Sequence, residues 1–208
     1  MSEKKSLQIS TQLTEVIIKG MQEFIGQPEL DDILSKCSEI PYRSCDQMLQ
    51  AGAVMDYSQV SALQQAVEEV YGPQGARGVA LRSGRSAFCY FLKTFGEKTG
   101  LRELDFRLLP PRRRLKTGLE RLAHVMNAEA GGEVIIQDDE DAWLVRIGRC
   151  PECWKKQSEA THCFFSVGLL QEFISWLSGG KIYLVEEIAC RAKGDPACII
   201  RIDKKPLD

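Results

Sequence analysis

Five of the eight cysteines in this 208-residue chain fall after residue 149. Cysteines used only as small core residues would not gather in this way. The N-terminus, Met-Ser-Glu-Lys-Lys-Ser, is polar and lacks the apolar core of a secretory leader. No apolar run approaches the ~18 residues that cross a bilayer. The expected compartment is therefore the cytoplasm, with no membrane partner. There structural disulfides are rare, and clustered thiols point to a metal or to reactive chemistry.

The stretch from Cys163 to Cys198 carries the pattern most closely. Glu187, Cys190 and Cys198 are spaced E-x2-C-x7-C across an expected hairpin, whose turn is opened by Gly194. Cys163, at the start of the preceding helix, can complete a tetrahedron. Three thiolates and one carboxylate suit zinc, which accepts sulfur and oxygen. With all positions filled by protein, such a zinc is structural; a catalytic one keeps a position open for water. The helix N-terminus is expected to favour the thiolate of Cys163. A second set is Cys150, Cys153, Cys190 and Cys198, since Cys150-Pro-Glu-Cys153 has the spacing of a zinc knuckle. A third reading has buried cysteines and a surface Glu187. A redox role for Cys150 and Cys153 is disfavoured, because the strand–helix context it needs is missing.

The order of periodicities sets the fold class. Residues 11–25 place Leu13, Val16, Ile17, Met21, Phe24 and Ile25 on one helical face. Pro28 opens a short second helix with Leu30, Ile33 and Leu34 inward. Residues 38–55 read as loop around a short helix. Ser58–Tyr71 is a helix with Val60, Leu63, Val67 and Val70 inward, ended by Gly72-Pro73. Residues 75–95 are a further helix, and 111–129 another, with Leu115, Leu119, Leu122 and Met126 buried. Beyond Gly131-Gly132 the period becomes extended. Residues 133–137 and 142–147 form a hairpin. A helix from Thr161 or His162 to Leu177 is apolar on more than one face, as a central helix must be. Strands at 181–189 and 197–202 close the chain. Helices, hairpin, core helix and second hairpin make an α+β domain with an antiparallel sheet packed on helices. The expected division is a helical region at 1–74, a domain at 75–203 and a tail at 204–208.

Several functions are excluded or weakened. A net charge of −2 gives no field for nucleic acid. The basic cluster Arg112, Arg113, Arg114 and Lys116 reads as a solvated helix end, because no aromatics interleave it. Gly72, Gly75 and Gly78 lack dinucleotide spacing and read as close helix packing. Arg82 and Arg85 read as surface or cap residues. His124 reads as exposed. No nicotinamide, flavin or haem-attachment motif is visible, which weighs against an enzyme.

The segments CFFSVG at 163–168 and EIACRAKGDPAC at 187–198 resemble the 4-vinyl reductase domain. That domain is similar to the aromatic-sensing domain of phenol-responsive transcription activators. The resemblance covers residues 75–203. It implies a fold related to vesicle-tethering subunits and haem nitric-oxide sensors. It also implies a structural zinc on Cys163, Glu187, Cys190 and Cys198, a small apolar ligand, and dimerisation through N-terminal helices. Three functions follow as expectations. The first is a domain that binds or senses an apolar or aromatic molecule and acts through a protein signalling partner, with Phe88, Trp143, Phe164, Phe165 and Tyr183 as candidates to line its pocket. The second is a tetrapyrrole vinyl reductase or an accessory pigment-binding protein. The third is a zinc-stabilised interaction scaffold.

Overall fold

A computed structural model describes residues 7–207. The polar start at 1–6, read as lacking a leader, lies outside the described residues. In chain order the elements are β1 (Gln8–Ile9), α1 (Thr11–Ile25), α2 (Gln27–Lys36), α3 (Cys45–Gln50), β2 (Met55–Asp56) and α4 (Tyr57–Phe95). There follow α5 (Leu104–Arg107), α6 (Pro111–Ala130), β3 (Val134–Asp138), β4 (Ala142–Ile147), α7 (Phe164–Ser178), β5 (Tyr183–Ala189) and β6 (Cys198–Pro206). The four longer strands form an antiparallel sheet in the order β3-β4-β6-β5. The expected α+β class is what the protein adopts. Among the described residues no helix is long and apolar enough to cross a membrane.

Local chemistry sets the helix starts. Ser10 caps α1 by accepting from the Leu13 N–H, and Ser44 caps α3 from Gln47. Asp56 and Gln59 form a reciprocal capping box at the start of α4. Gly72, at φ 69°, breaks α4 inside its span, and Pro73 restarts the helix at once. The expected stop is thus a kink between two rods. Val70, expected inward, is exposed because it sits in the last turn before that kink.

Helices cover one face of the sheet. α1 packs on α4, α4 on α7, and α6 and α7 on the sheet. β6 buries Cys198, Ile200 and Ile202 with the period of two that a half-covered strand requires. It runs to Pro206, and Lys204 donates its backbone N–H to Asp141.

Two glycines set how closely α4 and α7 cross. A Cβ on Gly84 would lie 2.1 Å from the Phe165 carbonyl oxygen. One on Gly168 would lie 2.0 Å from that of Leu81. A Cβ on Gly20 would lie 2.4 Å from that of Ala87, where α1 packs on α4. The expectation of close packing at Gly72, Gly75 and Gly78 is corrected. A Cβ on Gly72 or Gly78 meets nothing within 4 Å, and one on Gly75 meets only the Cβ of Tyr71 within its own helix. The solvated basic cluster also needs correction at one residue. Arg114 donates to the carbonyls of Leu177 and Arg107 at 2.6 and 2.8 Å, because the C-terminal end of α7 offers unpaired acceptors there.

Gly84→Ala should destabilise the protein by about 1–3 kcal/mol or more, overriding the ~1 kcal/mol that alanine normally gains in a helix. Urea unfolding of Gly84→Ala beside Gly78→Ala checks this, since Gly78→Ala should be neutral or stabilising.

Candidate metal centre and adjoining cavity

Four chain segments end at one corner of the sheet. β4 finishes at Ile147, which pairs with Cys198 at the start of β6. The loop after β4 carries Cys150 and Cys153 and returns at Cys163, the N-cap of α7. β5 finishes at Ala189, one residue before Cys190. A register shift between Glu187 and Ala189 marks a bulge there, a common device for re-aiming side chains beside a site. Arg191 ties the corner by donating to the Gly148 and Pro196 carbonyls at 3.0 Å each. Asp195 accepts from the Cys190 N–H at 2.8 Å.

The five cysteines and Glu187 meet at this corner. The sulfurs of Cys150 and Cys163 lie 3.3 Å apart, those of Cys153 and Cys198 3.4 Å, and those of Cys163 and Cys198 3.6 Å. Cys190 stands 4.0 Å from Cys163. Two groups have every ligand atom within 4.8 Å of the others, and either could hold a metal ion. One is Cys163, Glu187, Cys190 and Cys198, the set expected from the spacing. The other is Cys150, Cys153, Cys163 and Cys198. The all-thiolate alternative is thus corrected: Cys163 stands where Cys190 was expected, because Cys190 follows β5 on the other side of the corner. All five cysteines are buried. Glu187 Oε2 accepts from the Cys163 N–H at 2.9 Å, while its Oε1 is buried with no hydrogen-bond partner.

The electrostatics are those of crowded ligands. Hydrogen bonds among the sulfurs push Cys163 well above the ordinary thiol range and hold Cys153 below it. Burial raises Glu187. By contrast Cys37 and Cys45 are core cysteines; burial pushes Cys45 up to about 12. Cys89 is exposed on α4.

Glu152, inside the Cys150–Cys153 loop, was not singled out by its spacing. It is buried, and its carboxylate accepts from the Phe165 N–H at 3.1 Å, the Ser166 N–H at 3.0 Å, the Ser166 hydroxyl and Gln64 Nε2 at 3.1 Å. It therefore caps α7 from a loop eleven residues or more upstream. Burial pushes it up to about 7, against the hydrogen bonds from Ser166 and Gln64. No sequence rule marks a cap supplied from so far away.

Beside the cluster lies a cavity of about 280 Å³ between α1, α4, α6, α7 and strands β3 and β4. Cys150 and Glu152 belong to its wall, so the cysteine cluster and the cavity share the loop between them. Most of the wall is aliphatic, including Leu13, Val16, Leu63, Val67 and Leu122. Two polar atoms there are buried and unpartnered: Ser83 Oγ and His162 Nε2. Burial lowers the His162 pKa below its ordinary value. Of the expected pocket residues, Phe164 and Phe165 line the cavity. Phe88 instead packs edge-on against Phe173, Trp143 is buried in the sheet with Lys204 over its ring, and Tyr183 starts β5 opposite Pro206. His124 is exposed, as expected.

No protein-family model matches the chain, and no curated protein matches it. Solved structures do share its fold. An H-NOX protein from S. oneidensis in the Fe(II)NO ligation state superposes with a TM-score of 0.61 at 12% identity, over 93% of this chain and 99% of that one. The Fe(II) unliganded H-NOX protein from K. algicida gives 0.57 at 10% identity, over 96% and 99%. The phenol-responsive sensory domain of the transcription activator PoxR, with phenol, gives 0.51 at 16% identity, over 83% and 88%. The chain therefore has an H-NOX-like fold.

Glu152→Ala should cost about 2 kcal/mol or more, since it strips the α7 N-terminus of its cap and leaves buried donors unpaired. Urea unfolding of metal-loaded protein measures it; an unchanged midpoint would remove Glu152 from this role.

Proposed function

We propose that the chain is a sensory domain that binds a small apolar or aromatic molecule carrying a hydrogen-bonding group, and that a structural zinc on Cys163, Glu187, Cys190 and Cys198 holds its frame. The observation that carries this reading is the cavity wall: aliphatic over most of its area, with the unpartnered polar groups of Ser83 and His162 buried in the residues that line it. Apolar pockets with a few placed polar groups are what such ligands require. The volume, about 280 Å³, sits at the lower edge of the range for drug-sized ligands, which favours one or two rings. The PoxR sensory domain, which shares the fold, was solved with phenol. Signal transfer to a protein partner, and a homodimer formed through the N-terminal helices, belong to this reading on the strength of the family resemblance.

A tetrapyrrole is the second reading, in keeping with the 4-vinyl reductase resemblance. It is favoured by His162 Nε2, a free imidazole nitrogen on the wall that could meet a metal at the centre of such a ring. The volume argues against it, because a four-ring macrocycle needs more room than this cavity offers. A vinyl reductase would further need a bound hydride or electron donor. A scaffold reading would leave the cavity without a role.

The test is thermal unfolding of zinc-loaded protein with phenol and with naphthol as probes. A probe at about a hundred times its Kd should add about 2.7 kcal/mol, which is several degrees in Tm for a chain of this size. Ala123→Phe, which fills the cavity from α6, should abolish the shift. Ser83→Ala should weaken binding about tenfold while leaving the free protein at least as stable, because it removes an unsatisfied buried hydroxyl. No shift with any probe would overturn the reading.

A further inference from the structure

Six ligand groups stand at the metal corner, and one zinc can use only four. A zinc on Cys163, Glu187, Cys190 and Cys198 leaves Cys150 and Cys153 as buried thiols against its own thiolates. A zinc on Cys150, Cys153, Cys163 and Cys198 leaves Glu187 Oε1 buried and unpartnered. That orphan is costly, since a buried carboxylate oxygen without a donor loses its hydration for nothing.

The two groups overlap in Cys163 and Cys198 and in no other residue. This is the connectivity of two tetrahedra that share an edge. Zinc–sulfur bonds of about 2.3 Å place tetrahedral sulfurs about 3.8 Å apart. The shared edge, Cys163 to Cys198, measures 3.6 Å. Cys150 and Cys153 lie against it at 3.3 and 3.4 Å, and Cys190 lies against it at 4.0 Å.

We propose that Cys150, Cys153, Cys163, Glu187, Cys190 and Cys198 hold two zinc ions, bridged by the thiolates of Cys163 and Cys198. Cys150 and Cys153 complete one ion; Glu187 and Cys190 complete the other. With both ions bound, five thiolates and one carboxylate carry six negative charges, of which two dications leave two. The residual charge meets the positive end of α7, which Cys163 caps, and the Arg191 N–H, 3.4 Å from the Cys198 sulfur. The proposal rests on the structural-zinc reading and extends it from one ion to a bridged pair.

Native mass spectrometry of the reduced full chain, loaded with zinc and desalted, tests it. Two zinc ions per chain are expected. A single zinc overturns the pair and leaves the one-zinc reading standing; no zinc overturns both. Iron with sulfide in place of zinc overturns the pair as well. Cadmium-substituted protein should give two cadmium NMR signals, each coupled to the Cβ protons of both Cys163 and Cys198. One signal, or two with no shared cysteine, contradicts the bridge. A Cys150→Ser, Cys153→Ser double variant should retain one zinc, and retention of two would contradict the assignment. If that variant does not fold, the wild-type stoichiometry and the cadmium couplings still decide.

Discussion

Cys163 holds two positions at once. Its backbone caps α7 and donates to Glu187 at the end of β5, while its sulfur stands between Cys150, Cys190 and Cys198. Thiolates and a carboxylate gathered in one buried place would be stabilised by a cation that takes their charge. The loop after β4, the start of α7, the end of β5 and the start of β6 therefore depend on one small group of ligands. Structural zinc sites contribute folding free energy directly, and here that contribution would fall where the sheet joins its central helix.

The second constraint is the crossing of α4 over α7. Gly84 and Gly168 let the two backbones approach to a distance that no side chain permits. The kink at Gly72 divides α4 into two rods. The cavity is walled by both rods, α1, α6 and α7. Glu152 links the two features. It caps α7 from the loop that carries Cys150 and Cys153, and it stands in the cavity wall. A ligand that moved this wall would press on the metal corner, and a change at the corner would reach the wall.

Much of this was legible in the sequence. Apolar periodicity placed α1, α2, α6, both hairpins and the central helix within a few residues, because each buries one well-marked stripe or face. The set Cys163, Glu187, Cys190 and Cys198 was legible because a hairpin brings its last three members together by local geometry. The role of Cys150 and Cys153 depended on where a loop returns, which spacing does not encode. Close packing was assigned to Gly72, Gly75 and Gly78 rather than to Gly84 and Gly168, because a glycine that avoids a clash looks the same in sequence as one that only turns the chain. Phe164 and Phe165 reached the cavity wall, while Phe88 and Trp143 went to packing, since aromatic rings serve either use equally well. Ser83 and His162, whose buried polar atoms lack partners in the cavity wall, were hidden among ordinary helix and loop residues.

The central claim is that a metal at the corner holds the sheet and α7 together. Hydrogen exchange of the reduced protein, before and after chelation, tests it most directly at the Phe165 and Ser166 amides and along β6. The account predicts that removing the metal abolishes protection at all of these sites together, as expected when one cooperative unit is released. Protection that survives chelation unchanged would show that the cysteines only fill the core, and would contradict the account.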